Sequence, residues 1–138
     1  MWEYNNRPIL KNKKNPYPSE CFVWSTNQII ARERLSKHIF IDATFHHPIE
    51  YQQLLIIIFK DIITSEYYPG FFILMSNKTE ILYYMVFKSI KNSLTQNNIY
   101  ELKIETITTD TEIALINAIH TNFPKTQRIG CCFILNKI

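Results

Sequence analysis

A chain of 138 residues with 46% hydrophobic and 20% charged side chains can build one domain with a real core, which excludes wholesale disorder. Its formal charge of +3 is compatible with a nucleic-acid partner without indicating one. The longest apolar run, 54–59, is far too short to cross a membrane, and no basic-then-apolar leader opens the chain. Three cysteines without a CxxC pair argue against a disulfide framework, so the expected location is intracellular and reducing, not secreted.

Residues 1–20 read as a basic flexible arm. Lys11, Lys13 and Lys14 lie among asparagines, and Pro16-Tyr17-Pro18 argues against regular structure. The simplest role for such a run is a solvated tail. Residues 21–138 read as the ordered domain. Phe22-Val23-Trp24 suits a short strand and 26–36 a helix with Ile29, Ile30 and Leu35 on its apolar side.

The 38–46 segment alternates, with Ile39, Ile41, Ala43 and Phe45 on one face and His38, Phe40, Asp42, Thr44 and His46 on the other. The near-continuous apolar run 51–60 predicts a central strand buried on both faces, antiparallel to its predecessor across the Pro48 turn. A third strand is expected over 70–75 after a Pro69-Gly70 turn. Asn77, with Glu80 three residues on, predicts a capped helix over 78–94 with Leu82, Val86, Ile90 and Leu94 as its stripe. A strand over 102–109, a helix from 110 or 111 to 121 buried through Ile113, Ile116, Ala118 and Ile119, and a strand over 128–135 complete the order βββαβαβ. Two strands reached through helices after three joined by short turns predict an α/β fold with a mixed five-stranded sheet.

The chemistry-bearing candidates are two aspartates. Asp42 sits in mid-strand, where an unpaired carboxylate is costly if buried. Asp110 follows the β-branched run Thr106-Ile107-Thr108-Thr109. If their strands are parallel neighbours, roughly 4.8 Å apart, the two carboxylates can share one hard divalent cation, which also relieves their mutual repulsion. For Asp110 a plainer reading stays open: it precedes a helix, and Thr109 with Glu112 has the form of a capping box. His46 and His47 point to opposite faces of a strand and suit a turn before Pro48. Cys131 and Cys132 read as small buried strand residues, and Tyr83, Tyr84 and Phe87 as helix packing.

From Phe22 onward the chain resembles the transposase domain of Mutator-like (MULE) DNA transposons. The resemblance rests on Phe22-Val23-Trp24-Ser25-Thr26, Asp42-Ala43-Thr44-Phe45, Tyr51-Gln52-Gln53-Leu54 and Asn77-Lys78-Thr79-Glu80. It continues through Thr109-Asp110-Thr111-Glu112-Ile113-Ala114-Leu115-Ile116-Asn117-Ala118-Ile119, Phe123-Pro124 and Gly130-Cys131-Cys132-Phe133. It implies an RNase H-like fold and a DDE-type site using Mg²⁺ or Mn²⁺ to cut and join DNA, with Asp42 and Asp110 as the first two acids. DNA is then the expected partner and the nucleus or cell interior the expected location. Two departures follow. Ile134 stands where the family's Cys-x-x-His pattern has its His, and the third acid, which in the family lies on a helix well past the last strand, has no counterpart here. The resulting expectation is a truncated, inactive copy missing its final helix, with an exposed sheet face that favours self-association. Two alternatives stand beside it: residual Mn²⁺-dependent nuclease activity using Glu112 as the spare carboxylate, and a non-catalytic nucleic-acid or protein binding module.

Overall fold

The computed structural model describes residues 4–6, 9–12, 15–25, 36–44, 51–98 and 103–130. Along the chain these form β1 (Tyr4–Asn6), β2 (Ile9–Asn12), β3 (Asn15–Ser25), β4 (His38–Thr44), β5 (Gln53–Lys60) and β6 (Tyr67–Met75). Then come α1 (Glu80–Gln96), β7 (Thr106–Thr109), α2 (Ile113–Asn122) and β8 (Gln127–Gly130). The chain is mixed α/β. Its main sheet runs β3-β6-β5-β4-β7-β8, with β1 and β2 both paired to β3. The βββαβαβ order holds from β4 onward. The five-strand expectation omitted β3, whose Cys21–Trp24 portion pairs antiparallel with β6 and adds a sixth strand to the sheet.

The N-terminal segment also departs from expectation, because its described part is strand. Pro16 and Pro18 are two apart, so their missing N–H groups face the same edge, and among the described residues the 15–19 stretch of β3 pairs with β2 alone. A strand edge with no partner tolerates proline. The Pro69-Gly70 pair lies inside β6 and makes no turn. The β5–β6 register passes from Ile57↔Phe71 to Ile58↔Pro69, so Gly70 is the extra residue of a bulge. The turn itself lies earlier, closed by Asp61 N–H donating to Glu66 O at 2.7 Å and Ser65 N–H to Asp61 O at 2.9 Å, with Ser65 at φ 60°.

Period-two burial decides the layers. Gln53, Leu55, Ile57 and Phe59 of β5 are buried while Leu54, Ile56, Ile58 and Lys60 are half-buried, so the strand is fully covered on one face only, not on both. Ile39 and Ile41, Phe71 and Ile73, Cys21 and Val23, and Ile107 share the covered face. Onto it pack Leu82, Tyr83, Val86, Phe87, Ile90 and Leu94 of α1, a stripe at helical spacing that contains all four residues expected. Removing an aromatic side chain of this size from water stabilises by roughly 1.5–3 kcal/mol. The α2 stripe is Leu115, Ala118, Ile119 and Asn122; Ile113, expected in the core, is 73% exposed because the helix begins at that residue.

The helices hold each other on the same side of the sheet. The rings of Phe87 and Phe123 meet edge to face at 5.8 Å. Lys91 Nζ donates to Asn122 O at 2.9 Å, placing a cation at the negative end of α2. The α1 cap is Thr79, whose hydroxyl accepts from Leu82 N–H at 3.2 Å; Asn77, the expected cap, accepts from the Thr79 amide and hydroxyl. Among the described residues of the strand expected over 102–109, only Thr106–Thr109 is strand; the Glu105 and Thr106 amides both donate to Lys37 O. The helix expected over 26–36 and the last strand beyond Gly130 lie outside the described residues, except Ser36. Ser36 is buried and non-helical, its hydroxyl contacting His38 O and Lys60 O.

Candidate metal centre

β4 and β7 are parallel neighbours, the arrangement under which the two aspartates come together. Their register pairs His38 with Thr106, Ile39 with Ile107 and Phe40 with Thr108. Carried two residues further, it sets Asp42 opposite Asp110, immediately past the end of β7. Both aspartates therefore lie toward the carboxyl ends of adjacent parallel strands, about 4.8 Å apart in the pairing direction. Asp42 is exposed and Asp110 half-buried.

Each carboxylate is partly committed. Asp42 Oδ1 accepts from the Ala43 amide at 3.0 Å, and Asp110 Oδ1 accepts from the Glu112 amide at 3.0 Å. The second oxygen of each takes no hydrogen bond among the described residues. Carboxylate oxygens are the donor type that hard cations take: Mg²⁺ commonly binds through one or two carboxylates and completes its shell with water and substrate phosphate oxygens. The same geometry decides the capping question. The α2 N-cap position is Glu112, with no side-chain cap bond, so Asp110 braces the turn before the helix and does not cap its first residue. Thr109, expected in a capping box, is buried with its hydroxyl unpartnered.

Glu112, the spare carboxylate of the sequence reading, is engaged elsewhere: Tyr83 OH donates to its Oε2 at 2.8 Å. Gln53 Nε2 in turn donates to the Tyr83 oxygen at 2.7 Å. Burial pushes the Tyr83 phenol far above its ordinary range, and the Glu112 and Asp110 charges add to this against the Gln53 bond, which lowers it. Arg128 Nη1 completes the surroundings, donating to the Asp110 carbonyl at 3.2 Å. Sequence reasoning missed Gln53, Tyr83 and Arg128 as parts of this site. One signal was available: Gln53 is an amide on the covered face of an otherwise apolar strand.

Among the described residues no three His, Cys, Asp or Glu side chains gather as a metal site. His46, His47, Cys131, Cys132 and Ile134 lie outside the described residues. Cys21 is buried in β3, and desolvation with the nearby Glu20 charge pushes its thiol up to about 12, so it is an inert core residue. A cavity of about 170 Å³ lined by Lys37, His38, Lys60, Asp61, Ile62 and Ser65 opens at the opposite end of β4 from Asp42. No described helix is long and apolar enough to cross a membrane.

No curated protein matches the chain. The family model of the MULE transposase domain matches residues 38–138, which begins at the first residue of β4 and takes in both aspartates. The chain belongs to the MULE transposase domain family.

Proposed function

We propose that this domain is an RNase H-like transposase core of the DDE type, in which Asp42 and Asp110 hold Mg²⁺ or Mn²⁺ against DNA inside the cell, in the nucleus of a host that has one. The observation that supports this reading is the β4–β7 register, which carried on from Phe40↔Thr108 brings Asp42 level with Asp110, each with one carboxylate oxygen that takes no hydrogen bond among the described residues. Bound there, the metal would activate the attacking oxygen and stabilise the leaving one in phosphodiester cleavage and strand transfer. The protein's own part is to fix the spacing of the two acids at the ends of neighbouring strands, where the DNA backbone can reach them. With Glu112 committed to Tyr83, the pair lacks a third acidic ligand among the described residues. Strand transfer by this chain alone is therefore expected to be slow or absent, and metal binding is the more direct readout. The partner side of the proposal is DNA, together with self-association through the sheet face opposite the helices.

Calorimetric titration with Mn²⁺, paired with plasmid nicking, tests this. The expected result is saturable Mn²⁺ binding lost in both Asp42→Asn and Asp110→Asn, with any nicking lost in the same variants. DNA binding that depends on salt and ignores chelation, with no Mn²⁺ uptake, would overturn it in favour of a non-catalytic binding module.

A further inference from the structure

The turn that carries Asp110 is anchored from three directions. Its backbone carbonyl takes the Arg128 bond from β8, its carboxylate takes the Glu112 amide, and Glu112's own carboxylate takes the Tyr83 hydroxyl. The last anchor leads into the core. Tyr83 and Gln53 are both fully buried, one on α1 and one at the start of β5, the strand next to β4. The hydrogen-bond senses are consistent: the phenol accepts from the Gln53 amide and donates to the carboxylate, using both its capacities. Gln53 Nε2 also lies 3.2 Å from Met75 Sδ, tying in β6.

We infer that the Gln53–Tyr83–Glu112 chain is a positioning device for Asp110, and that Glu112 is a tether and not a third metal ligand. This inference rests on the metal-site reading. Metal ligands are oriented by partners one bond away, and loss of such a partner typically lowers metal affinity about 10- to 100-fold. Asp110 lies past the end of its strand, so the β ladder does not fix it as it fixes Asp42. A carboxylate tied to a buried phenol supplies that constraint, because charge-assisted hydrogen bonds are the stronger kind and this one sits partly out of water.

Two variants separate a tether from a ligand. Tyr83→Phe keeps the ring and deletes the bond. Glu112→Gln keeps an acceptor for Tyr83 and deletes the charge. For Mn²⁺ titration the expected pattern is affinity lowered about 10- to 100-fold in Tyr83→Phe and lowered by less in Glu112→Gln, which keeps an uncharged acceptor for the phenol. Amide exchange at Glu112, followed in metal-free protein below its melting transition, should quicken in Tyr83→Phe and quicken less in Glu112→Gln. Loss of Mn²⁺ binding in Glu112→Gln equal to that in Asp110→Asn would make Glu112 a ligand and overturn the inference. Unchanged Glu112 exchange in Tyr83→Phe would overturn it whether or not metal binds. Absent Mn²⁺ binding in the native chain with quickened exchange would instead remove the metal reading and leave the tether standing.

Discussion

Tyr83 shows how much one buried hydroxyl can decide. Its phenol is held protonated by desolvation first and by two neighbouring carboxylates after that. The folded state keeps this proton at a pH where an unfolded tyrosine, titrating near its ordinary value of 10.0, has lost it. Stability from this group is therefore fully present below about pH 10 and falls as pH rises beyond it, because the unfolded chain then binds fewer protons. Cys21 acts in the same direction from its ordinary 9.0. We expect the melting temperature to decline through the alkaline range and to decline less steeply in Tyr83→Phe. A pH slope identical in both proteins would mean the phenol ionises freely and is not held by the core. The site residues were unequally legible. Asp42 stood out because an unpaired carboxylate in mid-strand is costly if buried, whereas Asp110 before a helix could equally be read as a cap. Tyr83 did not, since an aromatic on a helix stripe looks the same whether its hydroxyl is idle or bonded.

At the scale of elements, the apolar stripes and the strand pairing were legible while the ends were not, and α1 shows why. Leu82, Val86, Ile90 and Leu94 repeat at helical spacing and are buried as a stripe, since periodicity reports packing directly. Its cap was misplaced by two residues, because Asn77 and Thr79 are both good caps and only backbone geometry chooses between them. Thr79 has the extended conformation, φ −73° and ψ 150°, from which its hydroxyl reaches Leu82 N–H. Thr79→Ala should therefore cost about 1 kcal/mol in denaturant unfolding, as N-cap losses usually do. Asn77→Ala, which removes support for the cap and not the cap itself, should cost less. The reverse ranking would return the cap to Asn77. The Pro69-Gly70 misreading has the same origin: a turn signature in sequence is also what a bulge within a strand uses.

The described residues are arranged asymmetrically about the sheet. Both described helices cover the face of Leu55, Ile57 and Phe59. The opposite face carries Phe22 and Trp24 of β3, Leu54 and Ile56 of β5, and Phe72 and Leu74 of β6, all half-buried. Phe22 and Trp24 stack at 5.6 Å, and Tyr51 meets Phe22 edge-on at 5.8 Å, so the aromatic side chains are already consolidated into a patch. No described helix packs there. Apolar sheet faces of this kind are where chains associate, because burying them against a second surface gains roughly 25 cal/mol per Å² before the cost of association is met. Asp42 shares the sheet face, paired with Ile56 in the β4–β5 ladder, so a contact over the patch would lie beside the proposed metal centre. Sedimentation velocity should accordingly show weight-average mass rising with concentration, and Leu74→Lys, which sets a charge near the end of β6 while its stem still covers the sheet, should shift the equilibrium toward monomer. A native chain that stays monomeric at every accessible concentration would sink the association, and a Leu74→Lys variant that associates as strongly as the native chain would move it to another surface.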